Sequence, residues 1–95
     1  MFVVTLRFSA NRMQASRWME GHNAWIRRGF EDGVFLLTGS LSAGAGGAVL
    51  AHGLSRDALE LRLREDPFVV EGVVDAEILE IAPGRVDDRL AFLRD

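Results

Sequence analysis

Two apolar segments in the middle of the chain, residues 34–38 and 48–52, are separated by a segment rich in glycine, residues 40–47. Apolar runs of this length joined by Gly, Ser and Ala predict two strands with a flexible connection, because glycine adopts backbone angles that other residues avoid. A central antiparallel hairpin is therefore expected. The rest of the chain has to be arranged around it.

The segments before the hairpin predict a strand and then a helix. Residues 2–8 alternate, with Phe2, Val4, Leu6 and Phe8 on one face and Val3, Thr5 and Arg7 on the other. Residues 13–30 have helical spacing instead, and most of the polar residues, Asn23 among them, lie away from the apolar face. That apolar face consists of Trp18, His22, Trp25, Ile26 and Gly29.

The segments after the hairpin repeat this pattern in the order helix and strand. Ser55 is a good N-cap for a helix through Leu59 and Leu63, which has to end by Asp66 because the residue before a proline avoids the α region. Residues 73–82 predict the last strand. The order βαββαβ indicates an α+β, ferredoxin-like fold, a four-stranded antiparallel sheet with both helices on one face.

The uncovered face of this sheet predicts self-association. A chain of 95 residues is near the size at which both faces of a sheet are hard to cover. Residues 34–38 and 73–82 are apolar on both sides, so we expect a homodimer or a higher homo-oligomer formed through the sheet. Residues 1–83 are expected to form the domain, and residues 84–95 a short helical extension with Val86, Leu90 and Leu93 on one stripe.

Composition argues against several classes of partner. The net charge is −3, and the eleven arginines are spread from Arg7 to Arg94, which argues against binding to nucleic acid or to an anionic membrane surface. No apolar run approaches the length that spans a membrane. The first residues enter a strand pattern without the features of a signal peptide, so we expect a soluble cytoplasmic protein.

The acid–base chemistry available to the chain is limited. Cys, Lys and Tyr are absent, which leaves two histidines and fourteen carboxylates. His22 lies between two tryptophans on the apolar helix face. Asp66 is predicted at the C-terminal end of the second helix, where the helix dipole disfavours a negative charge, so its carboxylate is expected to have a cationic or hydrogen-bond-donating partner. Two simpler interpretations stay open: His22 as a packed residue bonded to a carbonyl, and Asp66 as a residue of an Asp-Pro turn.

Four segments in this order and spacing resemble the YCII-related (YciI-like) domain family. They are His22–Ile26, residues 32–39 with Asp32-Gly33 and Gly39, residues 47–50, and Asp66–Val74. The resemblance covers about residues 2–82. It departs from the family at Ser40, where proline is common, and after Pro83, where the chain continues past the usual end of the domain.

This resemblance implies a dimeric α+β barrel with His22 and Asp66 as a catalytic pair in a pocket for a small molecule. One branch of the family eliminates chloride from a chlorinated hydroxyquinol. We therefore expect a cofactor-independent lyase or isomerase that acts on a small cyclic or aromatic hydroxylated compound, with His22 as general acid or base and Asp66 orienting it. The alternative is a non-catalytic ligand-binding or accessory domain of the same fold.

Six further residues are candidates for substrate binding. The two tryptophans are more typical of a core but would also suit an aromatic ligand, and Arg7 is either an anion anchor or a solvated surface residue. The full set is Arg7, Trp18, Trp25, Gly39, Ser40 and Phe68. No metal site is predicted, because the spacing of His52 relative to His22 and Asp66 is not diagnostic of one. Residues 44–47 are expected to be a flexible hairpin rather than a phosphate-binding loop.

Overall fold

Residues 1–94 are described by a computed structural model, which has four strands and three helices. The α+β class and the order of the six predicted elements are confirmed, with one added helix. In chain order the elements are β1 (Phe2–Phe8), α1 (Ala15–Glu31), β2 (Phe35–Ser40), β3 (Gly46–Ala51), α2 (Arg56–Leu63), α3 (Pro67–Val70) and β4 (Val74–Glu80). Short 3₁₀ turns cover Arg12–Gln14, Ser42–Gly44 and Asp88–Arg94.

The four strands form one antiparallel sheet in the order β2-β3-β1-β4, which is the ferredoxin-like order. Alternate residues of β1 are buried, as predicted: Phe2, Val4 and Leu6 belong to the core, while Arg7 is exposed. Leu59 and Leu63 of α2 and Trp25 of α1 are in the same core cluster. Both long helices therefore cover one face of the sheet, which we call the helix-covered face.

The register defines the rows of side chains that cross the sheet. On the opposite face, the open face, Leu79, Val3, Leu50 and Leu37 follow one another across β4, β1, β3 and β2. Leu37 and Leu79 are about half exposed, at 53% and 49%. A continuous apolar row on a solvent-facing sheet is consistent with the prediction that β2 and β4 are apolar on both sides.

Helix α1 contacts the sheet most closely at its C-terminal end. A Cβ atom on Gly29 would come within 2.0 Å of the Phe35 ring, so only glycine fits where the helix crosses that ring. Trp25 packs edge-on against the same ring, with centroids 5.0 Å apart, and its Nε1 donates to the carbonyl of Arg62 at 2.8 Å. These contacts tie α1 to β2 and to the last turn of α2.

Two local predictions differ from the structure. Helix α3 was not predicted, and Asp66 caps its N-terminus instead of lying at the unfavourable end of α2, because Pro67 cannot continue a helix but suits the first position of a new one. Strand β3 begins at Gly46 rather than at residue 48, and its two glycines pair with Arg7 and Leu6 of β1.

After β4, the chain returns to the end of the sheet where β1 starts. Residues 88–94 form 3₁₀ turns, and Phe92 and Leu93 line a groove with Met1, Phe2, His52 and Glu80. The Phe92 ring meets the His52 ring edge-on, with centroids 5.3 Å apart. Asp95, the last residue of the predicted extension, lies outside the described residues. None of the helices within residues 1–94 has the length and apolar character needed to cross a membrane.

Candidate active site

His22 and Asp66 are hydrogen-bonded to each other. The Nδ1 atom of His22 lies 2.9 Å from Oδ1 of Asp66, although the residues are 44 positions apart. An ionised carboxylate only accepts hydrogen bonds, so with Asp66 ionised Nδ1 is the donor of this bond. The Asp66 side chain is fully buried, and 12% of the His22 side chain is exposed. The pair therefore lies just beneath the protein surface.

Asp66 is held by the local structure of the Asp-Pro segment. Its Oδ1 also accepts a hydrogen bond from the backbone N–H of Phe68 at 3.0 Å, and its backbone carbonyl accepts from Val69 and Val70 at 2.9 Å. These are the bonds of an N-cap, as expected for Asp before a short helix. The Asp66 side chain thus both stabilises the Asp-Pro turn and pairs with His22.

The close approach of α1 to α3 depends on Gly21. A Cβ atom at this position would lie 2.9 Å from Cγ of Pro67, nearer than side chains normally approach. The absence of a side chain at Gly21 lets the next residue, His22, reach Asp66 and Phe68. Sequence analysis did not identify this contact, because it joins two helices that are distant in the chain.

The ring of His22 is fixed on its face as well as at Nδ1. It stacks on the Phe68 ring at a centroid distance of 4.0 Å and an interplanar angle of 6°. Within residues 1–94, Oδ2 of Asp66 is the one buried side-chain polar atom without a hydrogen bond. Nε2 of His22 makes no hydrogen bond with these residues either, and it is not among their buried unbonded atoms, so it is accessible to solvent. The imidazole is oriented on one side and open on the other.

A cavity of about 280 Å³ lies beside this ring, between the N-terminal half of α1 and the helix-covered face of the sheet. One wall comes from a stripe of α1 with the spacing of one helix face, and Phe68 closes a side. The strand residues opposite include small ones at the end of the β2–β3 hairpin. The lining residues are Leu6, Phe8, Met19, His22, Asn23, Ile26, Thr38, Gly39, Ser40, Gly46, Gly47, Ala48, Val49, Phe68 and Val74.

Three polar side chains of this lining have no partner in the described part of the chain. The side chains of Asn23, Thr38 and Ser40 make no hydrogen bond within residues 1–94. Together with Nε2 of His22, they give an otherwise apolar cavity four free polar groups. A mostly apolar cavity with a few convergent polar groups is the usual form of a small-molecule site.

The structure brings some of the predicted site residues to this cavity and leaves others away from it. Gly39, Ser40 and Phe68 line it beside His22. Trp25 is fully buried in the core, and Trp18 packs against the core with the Arg17 guanidinium 5.1 Å from its ring. The three predicted residues outside the lining are Arg7, Trp18 and Trp25.

Arg7 is separated from the cavity by the sheet itself. It is exposed on the open face, in register with Asp75 of β4, whereas its neighbours Leu6 and Phe8 line the cavity from the other face. The alternation of β1 already places Arg7 opposite the core residues. Arg7 is therefore a solvated surface residue and not an anion anchor of this cavity.

Several lining residues were not identified from the sequence. Met19, Asn23 and Ile26 follow the helical spacing of His22, on a stripe next to the one that enters the core. Asn23 had been placed with the polar side of the helix. On the sheet, Thr38 faces the cavity because a bulge between Phe35 and Leu37 shifts the alternation of β2.

His52 lies at the end of β3 against Phe92 and does not line the cavity of His22. Among residues 1–94, no three His, Cys, Asp or Glu side chains are grouped closely enough to hold a metal ion.

Comparison with known proteins gives a fold relative. No protein-family model and no curated protein sequence matches this chain. Among solved structures, it is similar to the 5-chloro-2-hydroxyhydroquinone dehydrochlorinase TftG from Burkholderia phenoliruptrix AC1100, in complex with 2,5-dihydroxybenzoquinone. The TM-score is 0.68 at 17% sequence identity, and the likeness covers 88% of this chain and 96% of that one. At this identity the similarity establishes a shared fold.

Proposed function

We propose that the protein is a lyase or isomerase that needs no cofactor and uses His22 as its general base, within a divergent branch of the YCII-related family. The observation that carries the proposal is the hydrogen bond between His22 Nδ1 and Asp66 Oδ1, which leaves Nε2 free beside a cavity. The family segments noted in the sequence and the fold shared with TftG support it.

The proposed reaction starts with proton transfer from carbon. Nε2 of neutral His22 takes a proton from a C–H group next to a carbonyl. The electron pair of that bond forms a double bond to the carbonyl carbon, and the carbonyl π pair moves onto oxygen to give an enolate. In an elimination, the carbonyl re-forms, the carbon–carbon pair shifts to the bond with the neighbouring carbon, and the leaving group on that carbon departs with its bonding electrons; the imidazolium later gives its proton to water. In an isomerisation, the enolate is conjugated with a further double bond, the carbonyl re-forms, the double bonds shift, and the imidazolium gives its proton to the terminal carbon of that system.

Asp66 would stabilise the charge that forms on His22. Its buried carboxylate, with Oδ1 already bonded to Nδ1, lies next to the imidazolium in a medium of low polarity, where an opposite charge is most effective. It would also hold the tautomer in which Nε2 is the unprotonated nitrogen. This is the role of the carboxylate in other imidazole–carboxylate pairs.

The substrate class is a small, hydroxylated cyclic or aromatic compound. The cavity is near the lower end of the roughly 300–1,000 Å³ typical of pockets for drug-sized ligands. TftG is named for its action on 5-chloro-2-hydroxyhydroquinone and was solved with 2,5-dihydroxybenzoquinone. By analogy of fold, compounds of this kind are the first substrates to test.

Deuterium exchange tests the proposal without knowledge of the natural substrate. A panel of hydroxylated cyclic ketones, quinols and chlorinated hydroxyquinols is incubated with the protein in deuterium oxide, and NMR follows the C–H signals while free chloride is measured. We expect exchange or chloride release from at least one compound, at a rate roughly 100-fold or more above that with His22→Gln. His52→Gln is the matched control and should behave as the wild type.

If no compound reacts faster with the wild type than with His22→Gln, the proposed catalysis is contradicted. Binding of panel members without any reaction would favour the other interpretation, a non-catalytic domain that recognises a metabolite in the same cavity. Only the open Nε2 atom favours a catalyst over such a domain, since ligand recognition does not require a free base.

We also propose that two copies of the chain pair through their open faces. The apolar row Leu79–Val3–Leu50–Leu37 crosses all four strands, and Ile81, 45% exposed, extends it at the edge of β4. Exposed apolar areas of this kind mark interaction sites in soluble proteins. An equivalent row on a second copy has the same apolar character.

Sedimentation at micromolar concentration tests this pairing. We expect a dimer for the wild type and a monomer for Leu79→Glu, because a charge would be buried in the apolar row. Leu61→Glu is the matched control, since Leu61 is 59% exposed on α2, away from the sheet. A wild-type monomer, or an unchanged dimer in Leu79→Glu, would refute pairing through this row.

A further inference from the structure

The residues around the cavity also specify what kind of substrate fits. We infer that the cavity selects an uncharged, single-ring compound with oxygen substituents, and that Gly47 sets the size limit. This inference rests on the proposed function, because it concerns the substrate of the same cavity.

Gly46 and Gly47 both line the cavity, but only Gly46 is required by the backbone. Gly46 has a φ of +133°, and a Cβ atom there would be 2.0 Å from the carbonyl oxygen of Leu6. Gly47 has an ordinary φ, and its Cβ would meet only the carbonyl oxygen of Gly39, at 3.2 Å. A small side chain at position 47 therefore needs only a slight adjustment of the hairpin.

The small residues Gly47 and Ser40 account for the space under α1. Gly47 pairs with Leu6 and Ser40, and all three line the cavity from the helix-covered face. In the row that passes under the other end of α1, Phe35 of β2 stands where this row has Ser40, and the Phe35 ring fills the space up to Gly29. The cavity exists where the sheet offers glycine and serine instead of an aromatic ring.

The lining has hydrogen-bonding groups but no positive side chain. His22 is the only lining residue among those described that can ionise, and the Asp66 carboxylate lies directly behind it. An anionic substituent would lose its hydration without gaining a guanidinium partner, which is costly. Hydroxyl and carbonyl groups, in contrast, match the free side chains of Asn23, Thr38 and Ser40. The lining therefore favours uncharged oxygen substituents.

Ligand binding followed by NMR tests the charge preference. The probes are para-hydroxybenzamide and para-hydroxybenzoate, which have nearly the same shape but differ in charge. We expect the amide to shift the signals of Thr38, Ser40 and Ile26 and to bind at least about tenfold more tightly than the carboxylate, which leaves a charge unpaired. Equal or tighter binding of the carboxylate would overturn the inference, and so would an amide that shifts none of these signals at its solubility limit.

Substitutions at Gly47 test the size limit. We expect Gly47→Val to weaken binding of para-hydroxybenzamide by roughly tenfold or more, the effect of excess volume in a filled pocket, and Gly47→Ala to weaken it less. Gly84→Ala is the control, because Gly84 does not line the cavity and its Cβ would have nothing within 4 Å. A hydroxynaphthamide, with two rings, should bind the wild type at least about tenfold more weakly than the benzamide.

Unchanged benzamide binding in Gly47→Ala and Gly47→Val would overturn the role of Gly47, and tight binding of the naphthamide would overturn the single-ring limit. Because Gly47→Ala adds one methyl group, it keeps the test valid if the valine variant does not fold. All readouts are binding, so failure of catalysis is seen separately: a protein that binds the amide selectively but exchanges no protons contradicts only the proposed function.

Discussion

The two histidines of this chain are in opposite situations. His22 is 12% exposed, is bonded through Nδ1 to a buried carboxylate and is stacked on Phe68 beside a cavity. His52 makes no side-chain hydrogen bond within residues 1–94, and its ring meets Phe92, which is 43% exposed. The same side chain is hydrogen-bonded to a carboxylate beside a cavity in one region and packs against an aromatic ring in the other.

The largest expected difference is in turnover. His22→Ala should lower kcat by roughly 10²–10⁴-fold, the usual contribution of a positioned general base, and should leave the protein folded because Trp25 and Ile26 still anchor α1. His52→Ala should change kcat by less than about twofold. Steady-state kinetics on any compound found by deuterium exchange gives both values.

Equal losses in the two variants would remove the distinction between the histidines. If His22→Ala failed to fold, as judged by circular dichroism, His22 would instead be a packing residue whose loss the core does not tolerate.

A smaller loss of turnover is expected when the charge behind His22 is removed. Asp66→Asn keeps an oxygen for the N–H of Phe68 but replaces the carboxylate by a neutral amide, so kcat should fall by more than about tenfold and by less than in His22→Ala. Glu80→Gln, in the groove of His52, should have no effect. Normal turnover in Asp66→Asn would show that the carboxylate does not assist the imidazole.

Stability separates the cap of Asp66 from its charge. Asp66→Ala should lower the free energy of unfolding by about 1–2 kcal/mol more than Asp66→Asn, since alanine removes the N-cap of α3 and leaves Nδ1 of His22 without its acceptor. Urea denaturation measures this difference. Equal stability of the two variants would mean that the cap contributes nothing.

A still smaller effect is expected from Gly21→Ala. The added methyl group would press on Pro67, move α1 away from α3 and lengthen the His22–Asp66 bond, so turnover should fall by less than about tenfold. Gly84→Ala is the control, because Gly84 lies in the segment after β4 that leads to the groove of His52 and its Cβ would have nothing within 4 Å. Turnover at the wild-type level in Gly21→Ala would show that the distance between the helices is not critical.

The smallest effect is expected at Phe92. Because its ring is partly exposed and lies in the groove of His52, Phe92→Ala should cost less than about 1 kcal/mol of unfolding free energy and leave turnover unchanged. Thermal denaturation and kinetics measure both effects. A large loss of activity would mean that residues 88–94 affect the structure of the cavity.

The fold was predictable because its strands and helices have clear periodicities. The alternation of residues 2–8 matches the burial of β1, and Ser55 caps α2 with a hydrogen bond to the N–H of Ala58. One element was missed and the start of another was misplaced, both for local reasons. Helix α3 has only four residues, too few for a periodic pattern, and Gly46 and Gly47 pair in β3 although glycine is depleted in strands.

The candidate site was predictable in part. The unusual residue types His22 and Asp66 could be paired in advance, and Gly39, Ser40 and Phe68 line the cavity beside them. The direction in which a tryptophan side chain points was harder to predict, because Trp25 is one helical turn from His22 and yet is buried in the core. Thr38 faces the cavity because of a bulge in β2, and the spacing of residues in the sequence does not predict that bulge.

The tautomer of His22 tests the central claim most directly. Long-range proton–nitrogen correlation NMR at pH about 9, where imidazoles are ordinarily neutral, distinguishes the protonated ring nitrogen from the free one, and His52→Ala identifies the signals of His22. We expect a proton on Nδ1 and a free Nε2, with this preference lost in Asp66→Ala. A proton on Nε2 in the wild type would place a donor at the cavity instead of a base, and would contradict the account.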